Sequence, residues 1–510
     1  MKILYKIISL LTFILLISSC SDLHDLEETP YSALDSDNFY QNEEQAVLAM
    51  LNAYTQLQYR GTSLWGMMGS QVVTTDEAVI PFRERGPFLR NNGIWLALHE
   101  HNFFSNLFPL QAAWDYSFDT IAQVNQVIFQ IEEAPDFDAK ESIIAELEVL
   151  RAYSYYVAMD QFGNIPVTLD FTDTSLPDQY SREEVFKTVE QEVKDNLELL
   201  DAQPTQENYG RATQGMAAAL LAKMYLNAEV YIGEPMWEEA IEMCDNVINS
   251  GFYLLEDDYF SNFRIENVNS RENIFVIPYD RKVGFAFQMH QITLHPSFSN
   301  IYNYSTPIWN GMSATEAHYN LYNSEDDRIN SWMVGPQLKP NGQPLTTSSG
   351  DPLEFTPEVS SLNNAAEGAG VRATKWEFPR DLQRGESMDN DWAIYRYADI
   401  LLMKAEAIMR MNGGNAIQEA VDLVNEVRER AFGNSNHNYT TSTLTLDELL
   451  NERSRELAWE GHRRQDLIRF GEWDNPWFGK SGNVGDHAEI FPIPSNYLSA
   501  NPNLQQNPGY

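Results

Sequence analysis

The stretch "ERSRELAWEGHRRQDLIRF" crowds Glu452, Glu456, Glu460, Arg463 and Asp466 together, and carboxylates beside arginines are the raw material of acid–base catalysis. Their spacing argues for a different job. On a helix, positions three and four apart share a face and pair as ions, and a partly buried charge requires a partner. The cluster reads as structural, as do Arg396, Asp399 and Glu406 in "YRYADILLMKAEA". Hydrolysis by a carboxyl pair takes two such groups about 5 to 10 Å apart. With 74 acidic residues some pair meets that distance by chance, so no catalytic residue is assigned.

His99, Glu100 and His101 spell "HEH", but alternate residues point to opposite sides of a strand, and no third ligand or "HExxH" helix accompanies them. The acids of "NSEDDR" lack EF-hand spacing. No metal site is assigned and no cofactor is expected; a structural calcium held by loop carbonyls stays open. Cys244 falls in an apolar helical pattern with Trp237, Ala240, Ile241, Val247 and Ile248, which reads as a buried free thiol.

Aromatic residues are the informative class. A sugar presents a ring face of C–H bonds and a rim of hydroxyls, so an exposed Trp or Tyr covers the face while Asn, Asp or Arg bonds the rim. Trp114, Trp237 and Trp459 lie in helical patterns and read as core, and Trp392 and Trp473 as packing beside helices. Trp65, Trp95, Trp309, Trp332, Trp376 and Trp477 fall in loop regions. Trp309 in "YNYSTPIWNG" is the leading stacking candidate, with Tyr302 or Tyr304 nearby and Asn310 as polar partner. Two or three of the loop tryptophans are expected to converge, with Arg83 and Asn92 as further hydroxyl contacts.

These residues need a scaffold, and the apolar spacing supplies a helical one. Segments 141–162 and 181–200 form one pair, the second opened by a capping box at Ser181 and Glu184. Further pairs are 213–231 with 237–249, and 393–411 with 415–431 across a helix-stopping "NGG". Another helix begins at Thr445 and Glu448, and 41–58 with 112–131 makes a pair divided by a long insertion. Paired helices of this length resemble tetratricopeptide units without a tidy repeat, which predicts an irregular superhelix. Stretches 60–110 and 262–392 are rich in Asn, Ser, Gly, Pro and aromatics, and insertions this long are expected to fold into something functional. The expected organisation is a tether over 20–40, a helical scaffold over 41–261 with its insertion near 60–110, a loop-rich subdomain with short strands over 262–392, and helical pairs with a docked tail over 393–510.

The N-terminus carries its own signal. Lys2 and Lys6 precede an apolar run from Ile7 to Ile17, then Ser18, Ser19 and Cys20, the layout of a secretory leader over 1–19. The run is too short for the roughly 20 residues of a spanning helix. Small residues before a cysteine resemble the bacterial lipoprotein signal, which makes Cys20 the lipidated first residue, anchored by its acyl chains. The acids that follow (Asp22, Asp25, Glu27, Glu28) resemble the tether that sends lipoproteins of the Bacteroidetes group to the outer face of the outer membrane. Removal of the leader leaves 32 basic against 74 acidic residues, a formal charge of -42 that repels nucleic acid and opposes sulfated or uronic polymers.

Seven stretches in chain order, "TTDEAVIPFRERG", "AAWDYSFDTIAQVN", "RAYSYYVAMDQFGNIPV", "PIWNGMSATEAHYNLYNSEDDR", "YRYADILLMKAEA", "ERSRELAWEGHRRQDLIRFGEW" and "FPIPSNYLSANPNLQQNPGY", resemble signature stretches of the SusD/RagB family of outer-membrane glycan-binding lipoproteins. The resemblance implies a mainly α, tetratricopeptide-like scaffold with a variable loop region carrying the glycan site, including the loop after the first helix that here holds Trp65 and Trp95. It implies binding without cleavage. It also implies a partner, a TonB-dependent barrel of the SusC type over which the lipoprotein sits as a lid. Together with the charge, it points to a neutral polysaccharide, a glucan among the candidates. A peptide-capturing family member or protein-interaction scaffold is the alternative, and a surface glycoside hydrolase the next.

Overall fold

A computed structural model describes residue 40 and residues 42–84, 89–282 and 287–510; the leader, Cys20 and most of the tether lie outside the described residues. The scaffold is a file of long helices, each packed on the next. Helix α1 (Glu43–Gly61) is capped by Asn42, whose side chain accepts from the Gln45 amide. It packs on α2 (Phe108–Glu132), which packs on α3 (Lys140–Phe162), and that on α4 (Arg182–Asn196). A second file runs α5 (Gln214–Leu226), α6 (Trp237–Ser250), α7 (Tyr397–Met411) and α8 (Gln418–Phe432), with α9 (Leu446–Glu456) also against α7. Neighbour-on-neighbour packing of this kind is the architecture of a helical superhelix.

Local chemistry explains most boundaries. The capping box at Ser181 and Glu184 is reciprocal, satisfying two amides that the first turn of α4 would leave bare. Thr445 caps α9 by accepting from the Glu448 amide. Gly251 ends α6 in the left-handed conformation, where a side chain would be strained. Four expected segments differ. The helix opened by Thr445 and expected to run through "LLNERSRELAWEG" ends at Glu456. The helix expected over 213–231 breaks at Asn227, whose side chain bonds back to the Lys223 carbonyl, and resumes at Ala228–Ile232. The 181–200 segment leaves α-geometry after Asn196 for a tight turn at Leu197–Leu199. Residues Trp392–Arg396 form a strand, not the start of a helix, because they pair antiparallel with the buried strand Asn273–Ile277 and only then turn into α7.

The acidic cluster is a buried ion-pair lattice. Arg328 reaches Asp326, Glu452 and Glu456; Arg396 reaches Glu272, Glu456 and Glu460; Arg453 reaches Asp399 and Asp466; Arg469 reaches Glu406 and Asp466. Burial alone would raise the Glu452 carboxyl, but Arg328, Arg455 and Arg428 outweigh it and hold it well below the usual range. These carboxylates are buried and face arginines in place of solvent. Arg463, on the short helix α10 (Arg463–Arg469), instead forks onto Asp76, tying the insertion after α1 to the C-terminal helices.

The two long insertions fold together. Ala78–Val79 pairs antiparallel with Ser313–Ala314, and Phe82 exchanges backbone hydrogen bonds with Leu362 and Ala365. Other short ladders, Trp332–Met333 with Arg372–Ala373 and Gly335–Pro336 with Glu354–Phe355, finish a loop-rich layer on the helices.

Candidate functional site

The C-terminal end of α1, the turn after it and the start of α2 surround an open depression of about 630 Å³, closed on its far side by the loop region. Its walls are Tyr59, Arg60, Ser63, Trp65, Phe108, Ala112, Gln288 and Trp309. The turn is set by Gly66, where an added Cβ would lie 2.4 Å from the Arg60 carbonyl oxygen, so only glycine lets the chain double back. The Ser63 hydroxyl accepts from the Trp65 amide at 3.2 Å and orients the tryptophan. Pro109 sits in the first turn of α2, where a missing N–H costs nothing, and leaves the preceding Phe108 53% exposed at the rim.

Trp65 and Trp309 are both half-buried, one from each insertion. Behind Trp65 stands Trp95, fully buried, with ring centroids 4.9 Å apart, and Phe108 meets Trp65 edge-on at 5.8 Å and 71°. The aromatic wall is thus bent. Arg60 is the one cation among the described lining residues, and it is already held by Asp119 at 2.5 Å and Asp115 at 3.3 Å. Asp115 in turn accepts from the Tyr497 hydroxyl at 2.5 Å. Two carboxylates therefore neutralise the guanidinium, and no carboxylate lines the depression among the described residues. It offers aromatic faces, a hydroxyl, an amide and a compensated guanidinium.

The other sequence candidates lie elsewhere. Trp95 packs in the core as backing for Trp65, and Trp376 stacks on Trp392 at 5.0 Å and 10°. Trp332 is buried between His318 and Trp459. None of the three lines the depression: Trp95 lies behind Trp65, Trp376 is packed by Phe263, Phe287 and Trp392, and Trp332 by His318, Tyr322 and Trp459. Tyr302 and Tyr304 stack on one another at 5.3 Å away from the lining, and the buried Tyr304 hydroxyl donates to the Pro379 carbonyl. Asn92 is exposed in a tight turn at φ 53° and does not line the depression. Arg83 and Asn310, expected to bond hydroxyls, are buried and bond protein groups instead.

"HEH" ends a short helix, Ile94–His99, instead of lying in a strand. His99 and His101 engage the carbonyls of Phe478 and Thr74, and burial holds both imidazoles below their usual range, hence neutral. No cluster of three or more metal-type side chains occurs among the described residues. Sequence reasoning missed Tyr59, Arg60, Phe108 and Gln288. A signal existed for Tyr59: it falls off the buried stripe Ala46, Met50, Ala53, Tyr54 and Leu57 of α1, so a bulky aromatic there faces outward.

Residues 272–510 match the model of the SusD family, and residues 26–226 match a second model described as starch-binding associating with outer membrane. The chain belongs to the SusD/RagB family. Among SusD relatives, the starch-binding protein SusD of Bacteroides thetaiotaomicron is 25% identical over 76% of each chain. SusD-like protein P25 of Formosa agariphila is 24% identical over 98% of each. In fold, surface glycan-binding protein A from Bacteroides thetaiotaomicron, solved in complex with laminarihexaose, superposes with a TM-score of 0.73 at 20% identity, over 92% of this chain and 100% of that one.

Proposed function

We propose that this chain captures a neutral glycan in the depression between Trp65 and Trp309 and passes it, uncleaved, to a SusC-like TonB-dependent barrel. The observation that carries the reading is the pairing of two half-buried tryptophans, with Tyr59 and Phe108, around a concavity whose only cation among the described lining residues is already neutralised. Aromatic faces favour the C–H side of a pyranose, and a site without free positive charge discriminates against sulfated or uronic polymers. Because Trp65 and Phe108 meet nearly at right angles, the wall suits a bent chain better than a flat ribbon. Starch is named for the SusD relative and laminarihexaose for the structural neighbour; both are neutral glucans. The absence of a lining carboxylate among the described residues supports binding without hydrolysis. Family membership supports an outer-membrane setting, with Cys20 as lipid anchor and the acidic tether directing the protein outward.

Calorimetric titration of the chain beginning after Cys20, against neutral and anionic polysaccharides, tests this. Binding to a neutral glucan that falls at least tenfold in Trp309→Ala and in Trp65→Ala, with no reducing sugar released, is the expected result. Binding that survives both substitutions would move the ligand elsewhere, and binding to peptides alone would replace the glycan reading.

A further inference from the structure

Trp309 belongs to neither a helix nor a strand, yet the backbone around it is held on both sides. Its own amide donates to the Gln291 carbonyl at 2.7 Å, and the Asn310 amide to the Leu294 carbonyl at 3.0 Å. The carbonyls that follow are taken by Arg83, whose Nε donates to the Asn310 oxygen at 2.6 Å and whose terminal nitrogen donates to Gly311 at 3.2 Å. The same guanidinium reaches the carbonyls of Ala366 and Ala369. Arg372 donates to the Asn310 side-chain oxygen at 2.9 Å and to the carbonyls of Glu367, Ala369 and Gly370. The Asn310 side-chain Nδ2 closes the circle by donating to the Glu367 carbonyl at 3.0 Å.

This is an unusual use of two fully desolvated cations. Neither guanidinium bonds a carboxylate among the described residues. Glu367, the opposing charge that acts on Arg83, is engaged by His295 and Ser348. Groups that break the ordinary rule for buried charge are retained where geometry matters. The geometry here is specific: Asn310 sits at φ 50°, and an added Cβ on Gly311 would come 2.0 Å from Leu89 Cδ1. A non-glycine residue at positive φ is uncommon and persists where its surroundings hold it.

We infer that Arg83, Arg372 and Asn310 are positioning residues for Trp309, a clamp that fixes the indole as a preformed platform without touching the ligand. The inference rests on the reading of the depression as a glycan site. Preorganisation raises affinity by removing the ordering cost at the moment of binding.

The test uses the chain beginning after Cys20, labelled with 5-fluorotryptophan, with Trp309→Phe assigning the Trp309 resonance. Asn310→Gly keeps the left-handed backbone without strain and deletes only the side-chain links. It is expected to shift and broaden the Trp309 signal, leave the other tryptophan signals in place, and weaken binding of laminarihexaose or an α-glucan hexasaccharide about tenfold. Arg83→Lys, which keeps the charge but loses the fork, should displace the same signal, and it replaces Asn310→Gly should that variant not fold. A Trp309 signal and an affinity both unchanged within twofold would overturn the clamp. Should Trp309→Ala itself leave binding intact, the glycan reading of the depression fails instead, and the fluorine signal still decides whether the clamp orders the indole.

Discussion

Arginine is buried in two ways in this molecule. Where the loop region and the Trp392–Arg396 strand meet the C-terminal helices, Arg328 and Arg396 engage carboxylates, whereas around Trp309 Arg83 and Arg372 meet backbone carbonyls and one carboxamide. Burial pulls every one of these guanidiniums down in pKa. At Arg328 the opposing charges of Glu452 and Asp326 overturn the effect, while Arg83 is left lowered to about 9 and Arg372 well below its ordinary value. Charge compensation sets where whole helices sit and tolerates small changes of angle. A fan of carbonyl contacts instead defines the path of a backbone that lacks regular hydrogen bonding.

The contrast breaks most visibly if one lattice partner is removed. Arg328→Met leaves Asp326, Glu452 and Glu456 buried with too little positive charge, an expected loss of about 3–5 kcal/mol read from the urea midpoint. Against it, Asn310→Gly should change the midpoint by no more than about 1 kcal/mol while altering ligand affinity; equal losses would erase the distinction between the regions.

Acid should destabilise the fold in two steps. His290 and His318 are held near about 3 by burial, so the unfolded chain binds their protons first and stability declines gently below about pH 6.5. Glu452, Asp399 and Asp466 are held below the usual carboxylate range by their arginine and lysine partners, despite burial pulling the other way. Their contribution is complete above the unfolded value near about pH 4 and is lost as pH falls through the folded one. A steeper fall below about pH 4.5, blunted in Arg328→Met, is the expected profile in pH-resolved denaturation. A profile level down to pH 3 would contradict the lattice.

The smallest effect lies at the seam between the regions. Burial raises Glu77 to about 8, Arg463 opposing it only in part, and its carboxyl bonds the Ser454 hydroxyl and the Trp459 amide. A raised carboxyl is neutral in the fold yet ionised when unfolded, which lowers stability progressively from about pH 4.5 to 8. Glu77→Gln removes that handicap, so it should be neutral to slightly stabilising at pH 7, by under about 1 kcal/mol, with the gain vanishing near pH 4.5. A loss of several kcal/mol at pH 7 would instead place an ionised Glu77 in the lattice.

What the sequence discloses follows the range of the forces involved. Helix periodicity and the Ser181 box are local, so the scaffold and α4's start could be read directly, and three- and four-residue spacing exposed Glu452 and Glu456 as ion-paired positions on α9, whereas Glu460 joins the lattice from the turn beyond the helix end at Glu456. The Trp392–Arg396 strand could not be read, because its partner Asn273–Ile277 lies far along the chain. The same holds for the aromatics: nothing near Trp95, Trp332 or Trp376 distinguishes them from Trp65 or Trp309, and what buries them is packing inside each folded insertion and, for Trp332, against Trp459. Arg83 and Asn310 looked like ligand contacts since polar residues beside a tryptophan suit a sugar rim; their carbonyl partners come from residues 366–370, invisible to spacing.

The short ladder joining Ala78–Val79 to Ser313–Ala314 has a consequence for how the protein is made. One wall of the depression comes from the first hundred or so residues of the chain and the other only after Trp309 has emerged, so a polypeptide halted before that point has helices but no binding groove. Contacts this distant in sequence form late, after the local helices. On the proposed reading of the depression, ligand binding would report that the segments after α1 and around Trp309 have already met, whatever the state of the helices between them.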